Sequence, residues 1–378
     1  MNTYLLVNGN FVQANGMDMP NLALADYLAE RGEEVHLVTH RADAKLASRD
    51  NVTIHLAPKP ANSYLLATPV LDSMGRRWAA RIARRGGCVL VNGGNCRWAG
   101  VNWVHYVHAA FHSPRASGAL RTLKNKYAHK TFLARERAAL SEARLVITNS
   151  ERTRRDVIEQ LNVDAERVHT IYYGIDPERF RPPSEVEREE ARAALGWPDE
   201  RPVVAFIGAL GDRRKGLDTL FAAWQTLCSS HEWDADLVVI GAGAELPLWK
   251  TRVAQAGLQD RIRFLGFRED VERILAACDA LVAPTRYEAY GQGVHEALCC
   301  GLPALVSRDA GVAERYPAEL QDLLIPDPQN ADDLVERLRD WRRRATEYRK
   351  ALVPLTRQLR AHTWNHMAAQ IVRLVESA

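Results

Sequence analysis

Cys278-Asp-Ala-Leu-Val-Ala-Pro-Thr285, then Glu288-Ala-Tyr-Gly-Gln-Gly-Val-His-Glu296, is the stretch from which the rest of the chain can be read. The first segment is short and apolar and ends in turn chemistry, which predicts a buried parallel strand. After Gly291 the pattern changes period. Val294, Leu298 and Cys299 share one face of a helix, and Gly301 followed by Pro303 stops it. Glu288 therefore falls in a loop at the carboxyl end of a strand. Glu296 falls one to two turns into the next helix, on the face that carries Gln292 at i−4. In open α/β sheets the crevice beyond the strand ends is where ligands bind. Glycines there admit close backbone approach, and a helix N-terminus favours an anion. A carboxylate beside the ligand and another a turn below suit a polyhydroxylated, phosphorylated molecule.

Working outward, strands and helices alternate. The pattern predicts strands at Tyr4–Asn8, Val35–Thr39, Val52–Leu56, Cys88–Asn92, Trp103–Val107, Leu145–Asn149 and Val168–Tyr172. A helix with Leu22, Ala25, Leu28 and Ala29 on one face lies between the first two. The proline-rich Gly174-Ile-Asp-Pro-Glu-Arg-Phe-Arg-Pro-Pro183 and the charged run Glu185–Arg192 read as a linker and a short helix. A second series follows: Val203–Gly208, Ala235–Ile240, Ile262–Leu265, Ala280–Ala283 and Pro303–Val306. This is the rhythm of two parallel, doubly wound α/β sheets. With 378 residues and about 150 per domain, two Rossmann-like domains are expected. Their expected spans are 1–175 and 176–361, with a terminal helical segment in 362–378.

Composition is that of a soluble globular enzyme, with 47% apolar and 26% charged residues. Net charge is only +3, but its distribution is uneven. From Arg76 to Arg135 there is no Asp or Glu, while twelve cations occur, among them Arg97, Arg115, Arg121, Lys124, Lys126 and Lys130. Such asymmetry points to an anionic partner. Ala119–Arg137 reads as a basic amphipathic helix with Leu120, Leu123, Tyr127 and Ala134 along one side. It suits either an anionic membrane surface or a solvated cover for the core. No aromatic-interleaved motif supports nucleic-acid binding. The six cysteines show no metal-like spacing and read as reduced thiols. No apolar run approaches the ~20 residues of a membrane span. Met1–Asn8 lacks the basic start of a signal peptide, so a cytoplasmic location is expected.

Gly208-Ala-Leu-Gly-Asp-Arg-Arg-Lys-Gly216 lies between a strand and the predicted helix Leu217–Leu227. Glycines, three adjacent cations and a helix N-terminus make a phosphate cradle, though not a P-loop. The alternative is a solvated charged turn. Ile240-Gly-Ala-Gly-Ala244 reads as a plain tight turn. His108 is expected at a strand's carboxyl end, on the face of Val104 and Tyr106. A structural role and a site role both fit it, whereas His105 and His112 read as structural or peripheral.

These residues resemble the GT-B retaining glycosyltransferases, in particular their large fourth family. Glu288 and Glu296 match its two glutamates with seven residues between, and Ala289-Tyr-Gly291 stands where the family has Gly-Phe-Gly. Glu296-Ala-Leu-Cys-Cys-Gly-Leu-Pro303 matches Glu-Ala-x-x-x-Gly-x-Pro. Ala310-Gly-Val-Ala-Glu314 is similar to Gly-Gly-x-x-Glu, and Tyr173-Gly-Ile-Asp176 to Asn-Gly-Val-Asp. The first half is matched more loosely, through Gly16, Arg31–Val35, His108 and Asn149-Ser150.

The resemblance implies two facing domains that transfer a hexose-type unit from a UDP-, GDP- or dTDP-linked sugar to a saccharide or lipid-linked acceptor, as in cell-surface polysaccharide assembly. It implies no metal cofactor. Lys215 and an arginine neutralise the diphosphate; Arg213 or Arg214 must supply that arginine, because Ala209 stands where the family has it, and Arg214 is favoured. Two cations about 4 Å from a diphosphate contribute roughly 4 kcal/mol each at an effective dielectric near 20. Glu296 binds ribose, Glu288 holds sugar hydroxyls, and backbone N–H groups of Ala289, Tyr290, Gly291, Gln292 and Gly293 meet sugar and β-phosphate. Gly16 caps the diphosphate, His108 faces sugar and acceptor, and the terminal helix crosses back to the first domain. A nucleotide-sugar epimerase of the same fold would convert donor without acceptor. A non-catalytic nucleotide- or membrane-binding protein would show no turnover.

Overall fold

The structure is a computed structural model that describes residues 1–13, 18–111, 119–197 and 201–377, with backbone alone for 119–125. Gly16, His112 and Arg115 lie outside the described residues, as do the side chains of Arg121 and Lys124. The chain divides into two compact units, Met1–Gly174 with His362–Ala378, and Ile175–Ala361.

In the first unit the strands are β1 (Thr3–Val7), β2 (Asn10–Phe11), β3 (Glu34–Thr39), β4 (Arg41–Ala42), β5 (Val52–Leu56), β6 (Cys88–Asn92), β7 (Val101–Val104), β8 (Leu145–Thr148) and β9 (Val168–Thr170). Seven of them form a parallel sheet in the order β5-β3-β1-β6-β7-β8-β9, and β2 pairs with β4 beside it. The central strands are apolar on both faces; Leu5, Val7, Val38, Val89 and Val91 meet the helix Tyr64–Ala83 through Leu71, Ala79 and Ile82. The expected strand Trp103–Val107 begins earlier and stops at Val104. His105–Val107 leave the sheet and His108–Ala110 form a 3-10 turn, so alternation along a strand does not orient His108.

The helix Trp364–Glu376 is capped by Thr363, whose side chain accepts from the His366 N–H. It buries Met367, Ile371 and Val372 and packs on the helix Met19–Glu30 of the first unit. The chain leaves this unit at Gly174 and re-enters it at His362. A Cβ at Gly174 would lie 2.4 Å from the Thr363 carbonyl, so only glycine lets these two passages touch.

In the second unit β10 (Val203–Ile207), β11 (Asp236–Ile240), β12 (Ile262–Gly266), β13 (Ala280–Ala283), β14 (Ala304–Ser307) and β15 (Leu324–Ile325) form a parallel sheet in the order β12-β11-β10-β13-β14-β15. The chain winds from β10 toward β11 on one side and from β13 toward β14 on the other. The order therefore reverses between β10 and β13, which is where doubly wound sheets open a ligand crevice. The helices Leu217–Cys228 and Gln292–Cys299 start at those two strand ends. The long helical segment Ala331–Ala361 packs on both, and Thr356 Oγ1 donates to the Leu298 carbonyl at 2.7 Å. The Gly301 N–H bonds Leu298 O and the Leu302 N–H bonds Ala297 O, the Schellman closure announced by Gly301. Strands β2, β4 and β15, of two residues each, are too short to leave a periodic trace in the sequence.

Candidate functional site

Two loops meet at the β10/β13 reversal. The first, Gly208–Gly216, is shaped by Asp212, whose carboxylate accepts from the Arg214 N–H at 3.0 Å and starts the 3-10 turn Arg213–Lys215. Gly216 ends that turn at φ 76° and begins the next helix. A Cβ there would lie 1.9 Å from the Pro284 carbonyl oxygen, so the close approach of the two loops requires glycine. The tight turn after β11 acts as a brace: Leu210 N–H bonds Ala242 O, and Glu245 N–H bonds Leu210 O.

The second loop carries Glu288. Its carbonyl accepts from the Gly311 N–H at 3.1 Å and that of Tyr290 from the Val312 N–H at 2.7 Å, so Ala310–Glu314 forms the floor under it. Gly291, at φ 110°, caps the helix of Glu296.

Lys215 Nζ donates to Glu288 Oε2 at 2.5 Å, and Arg214 Nη1 lies 3.6 Å from the same oxygen. Arg214 is also held by Asp212 Oδ2 at 3.1 Å and by the Tyr287 carbonyl at 3.0 Å. Burial alone would raise the Glu288 pKa, but Lys215 and then Arg214 outweigh it and hold the carboxyl below its ordinary value. Glu296 has the opposite balance. Burial pushes it up to about 7, against a hydrogen bond from Gln292 and the charge of Arg179. Gln292 Oε1 is buried without a hydrogen-bond partner among the described residues, an acceptor open to a ligand hydroxyl. Arg213 is exposed, and Ala289 and Tyr290 are buried, with Tyr290 Oη on His295 Nδ1 at 2.9 Å. Any contact from Tyr290 to a ligand thus runs through its backbone.

The structure thus brings Arg214, Lys215, Glu288, Gln292 and Glu296 onto two adjoining loops and their helices, while His108 lies in the other unit. Two profiles match the chain in turn: "Glycosyltransferase Family 4" over residues 14–179 and "Glycosyl transferases group 1" over residues 187–358. The chain belongs to the GT-B glycosyltransferases. It is 31% identical over 200 residues to the 2-deoxystreptamine N-acetyl-D-glucosaminyltransferase of Streptomyces fradiae, covering 52% of this chain and 47% of that one. With other curated relatives the match spans about two thirds of their length. Among solved structures, sucrose-phosphate synthase of Thermosynechococcus elongatus superposes with a TM-score of 0.78 at 20% identity, covering 100% of this chain and 99% of that one. HepE of Anabaena, solved in complex with UDP and glucose, gives 0.73 at 18% identity, covering 100% of both chains.

Several residues of this candidate site escape the motif reading. Arg286 pairs with Asp218 through two bonds of 2.8 and 3.0 Å, reaches Thr219 Oγ1 at 3.1 Å and also binds the Arg213 carbonyl. It ties the two loops together, and its place just past β13 was the available signal. Asp212 was legible as a turn former ahead of the cations. Arg179 and its partner Glu272, 2.8 Å apart, carried none. Among the described residues no cluster of three His, Cys, Asp or Glu stands in metal-holding geometry, and no helix is long and apolar enough to cross a membrane. All six cysteines are free thiols.

In the first unit His105, read as structural or peripheral, is the centre of a polar network. Its Nε2 faces the amide nitrogens of Asn21 and Asn92 at 3.0 and 3.2 Å, and its Nδ1 faces Tyr173 Oη at 2.5 Å. Two donors on Nε2 leave the proton on Nδ1, and burial lowers its pKa to about 3, so the ring is neutral. Asn149 Nδ2 bonds both the His105 carbonyl and Tyr173 Oη, at 3.1 and 2.9 Å. Asn149 and Tyr173 therefore fasten the segment before the chain leaves the unit, while Ser150 caps the helix Glu151–Leu161 by accepting from the Thr153 N–H at 3.0 Å.

Proposed function

We propose that this glycosyltransferase is a retaining enzyme that moves a hexose-type unit from a nucleotide-diphosphate sugar to an acceptor hydroxyl without a metal ion. The observation that carries the reading is the Lys215–Glu288 pair, flanked by Arg214, between two glycine-started helices at the sheet reversal. Lys215 and Arg214 neutralise the departing diphosphate, while two helix N-termini add donors of fixed direction. Glu288 accepts from sugar hydroxyls, and Glu296 with Gln292 accepts from ribose. The bond from sugar C1 to the β-phosphate oxygen breaks as the acceptor oxygen bonds C1 on the same face. The acceptor proton passes to the departing phosphate oxygen, so no protein nucleophile is required. A solved structural neighbour bound to UDP and glucose favours UDP as the first donor base to test.

The test is thermal unfolding of the purified protein with UDP, GDP or dTDP, each with and without EDTA. One diphosphate should stabilise by about 2.7 kcal/mol at 100 times its dissociation constant, with EDTA making no difference. Ionised Glu296 accepts from ribose hydroxyls more strongly than the neutral acid, so affinity should fall as pH drops below about 7, and Glu296→Gln should remove that dependence. Absence of a shift with all three nucleotides would sink the reading.

We infer also that the acceptor is presented at an anionic lipid surface. Support comes from the helix Ala119–Glu142, where Lys126, Tyr127 and Lys130 are exposed, Tyr127 at 65%. Each basic residue near such a surface contributes about 1 kcal/mol. Vesicles containing anionic lipid should sediment the protein at low salt, and neutralising Arg121, Lys124, Lys126 and Lys130 together should reduce the bound fraction. Equal sedimentation of both proteins would remove the inference.

A further inference from the structure

The inner face of that same basic helix carries a second function. We propose that Glu136 is the positioning residue for His108, gripping the turn that bears the imidazole through two adjacent backbone N–H groups. The inference rests on the reading of His108 as a site residue. Glu136 Oε1 accepts from the His108 N–H at 2.8 Å and Oε2 from the Ala109 N–H at 3.2 Å. These are the first donors of the 3-10 turn His108–Ala110, whose preceding residue, Val107, offers no side-chain cap. A carboxylate from another element fills that role with both oxygens.

Glu136 is only 1% exposed. Taking a carboxylate out of water costs several kcal/mol, and an apolar residue would pack there at no such cost. Burial raises its pKa to about 7, while the N–H groups of His108 and Ala109 and the charge of Arg137 draw it back toward ionisation. The same turns of the helix supply the rest of the grip. His129, Phe132 and Glu136 follow at i, i+3 and i+7 and share one face. The Phe132 ring stacks on His108 at 5.4 Å, and Tyr106 meets it edge-on at 5.0 Å. Burial, then the neighbouring His129, lower the His108 pKa to about 4, so at neutral pH it can both donate to and accept from a hydroxyl.

The approach of the helix is built into the sheet. A Cβ at Gly94 would lie 3.0 Å from the Glu136 backbone nitrogen and 3.3 Å from its Cα. The turn holding Gly94, just after β6, is fixed by Asn102 Nδ2 on the Gly93 carbonyl at 3.0 Å. The ends of β6 and β7 thus converge on Glu136, the first acid after the acid-free stretch that ends at Arg135.

The test compares the full-length protein with Glu136→Gln, which keeps the shape but turns one amide NH2 toward an N–H donor. Amide exchange at His108 and Ala109 should accelerate at least tenfold. The His108 imidazole, followed by NMR, should titrate at least one pH unit higher as its ring gains water. A residue that only fills space would move neither signal in a folded protein. In turnover of UDP-glucose, Glu136→Gln and His108→Ala should lose similar factors, and the double variant no more than His108→Ala alone. If Glu136→Gln fails to fold, Glu136→Asp, one methylene too short to reach both N–H groups, takes its place with the same readouts. Unchanged exchange and titration in either folded variant overturns the proposal. Changed signals with full turnover in His108→Ala would keep the positioning role and remove His108 from the site.

Discussion

Replacing Lys215 by alanine should lower turnover about 10²–10³-fold, the usual cost of removing one preorganised electrostatic contact to the group where charge develops. The ammonium lies 2.5 Å from Glu288, beside the N-terminus of the helix Leu217–Cys228. It is thus already oriented before a ligand arrives. Without it Glu288 keeps only Arg214, 3.6 Å away, and the burial that now loses to two cations would face one. The Glu288 carboxyl should therefore titrate higher in the variant. Lys215→Arg should restore turnover only in part, because a planar fork does not replace a point charge at the same spot. The loop itself should survive. Its conformation rests on Asp212, on the Arg286–Asp218 pair and on Gly216, none of which uses the Lys215 side chain. The melting temperature should stay within a few degrees of the parent while diphosphate release collapses. Near-parental turnover in purified, folded Lys215→Ala would remove the assignment of this loop as the donor site.

The second half of the fold was more legible than the first, for physical reasons. Strands β10 and β13, and β11 after its leading Asp236, are continuous apolar runs closed by glycine or proline, the usual pattern of a buried parallel strand. The Lys215 and Glu288 loops announced themselves because glycine spacing, charge and helix start coincide there. The region after β7 gave no such signal. Val104-His-Tyr-Val-His108 alternates like a strand, but the chain bends out after Val104 because tertiary partners take over its backbone groups, Glu136 among them. Glu136 stands 28 residues further along the chain, and a contact across that separation leaves no periodic mark. The same holds for His105, whose Asn21, Asn92, Asn149 and Tyr173 neighbours come from four separate segments.

Glu288→Gln should separate two quantities that ordinarily fall together: turnover should drop about 10²–10³-fold while free nucleoside diphosphate binds more tightly. Lys215 and Arg214 hold this carboxyl below its ordinary pKa, so it is ionised throughout the neutral range. A diphosphate entering beside it must approach an anion that already shares those cations. At about 8 Å and an effective dielectric near 20, one unit of like charge costs roughly 2 kcal/mol. Glutamine removes that repulsion and frees Lys215 for the phosphate, so the dissociation constant for the diphosphate should fall about tenfold or more. The sugar fares differently. A sugar hydroxyl loses a charged acceptor, worth about 1.5–3 kcal/mol, on the ring in which positive charge builds during transfer. Tighter product and slower chemistry both reduce turnover, and a burst of diphosphate release in a single-turnover experiment tells them apart. The gain in affinity should be flat from pH 6 to 8, since Glu288 does not titrate there, whereas the contribution of Glu296 changes across that window. Should binding and turnover weaken together in Glu288→Gln, the carboxylate serves chiefly to hold Lys215 in place, and the sugar hydroxyls must find their acceptor elsewhere in the loop.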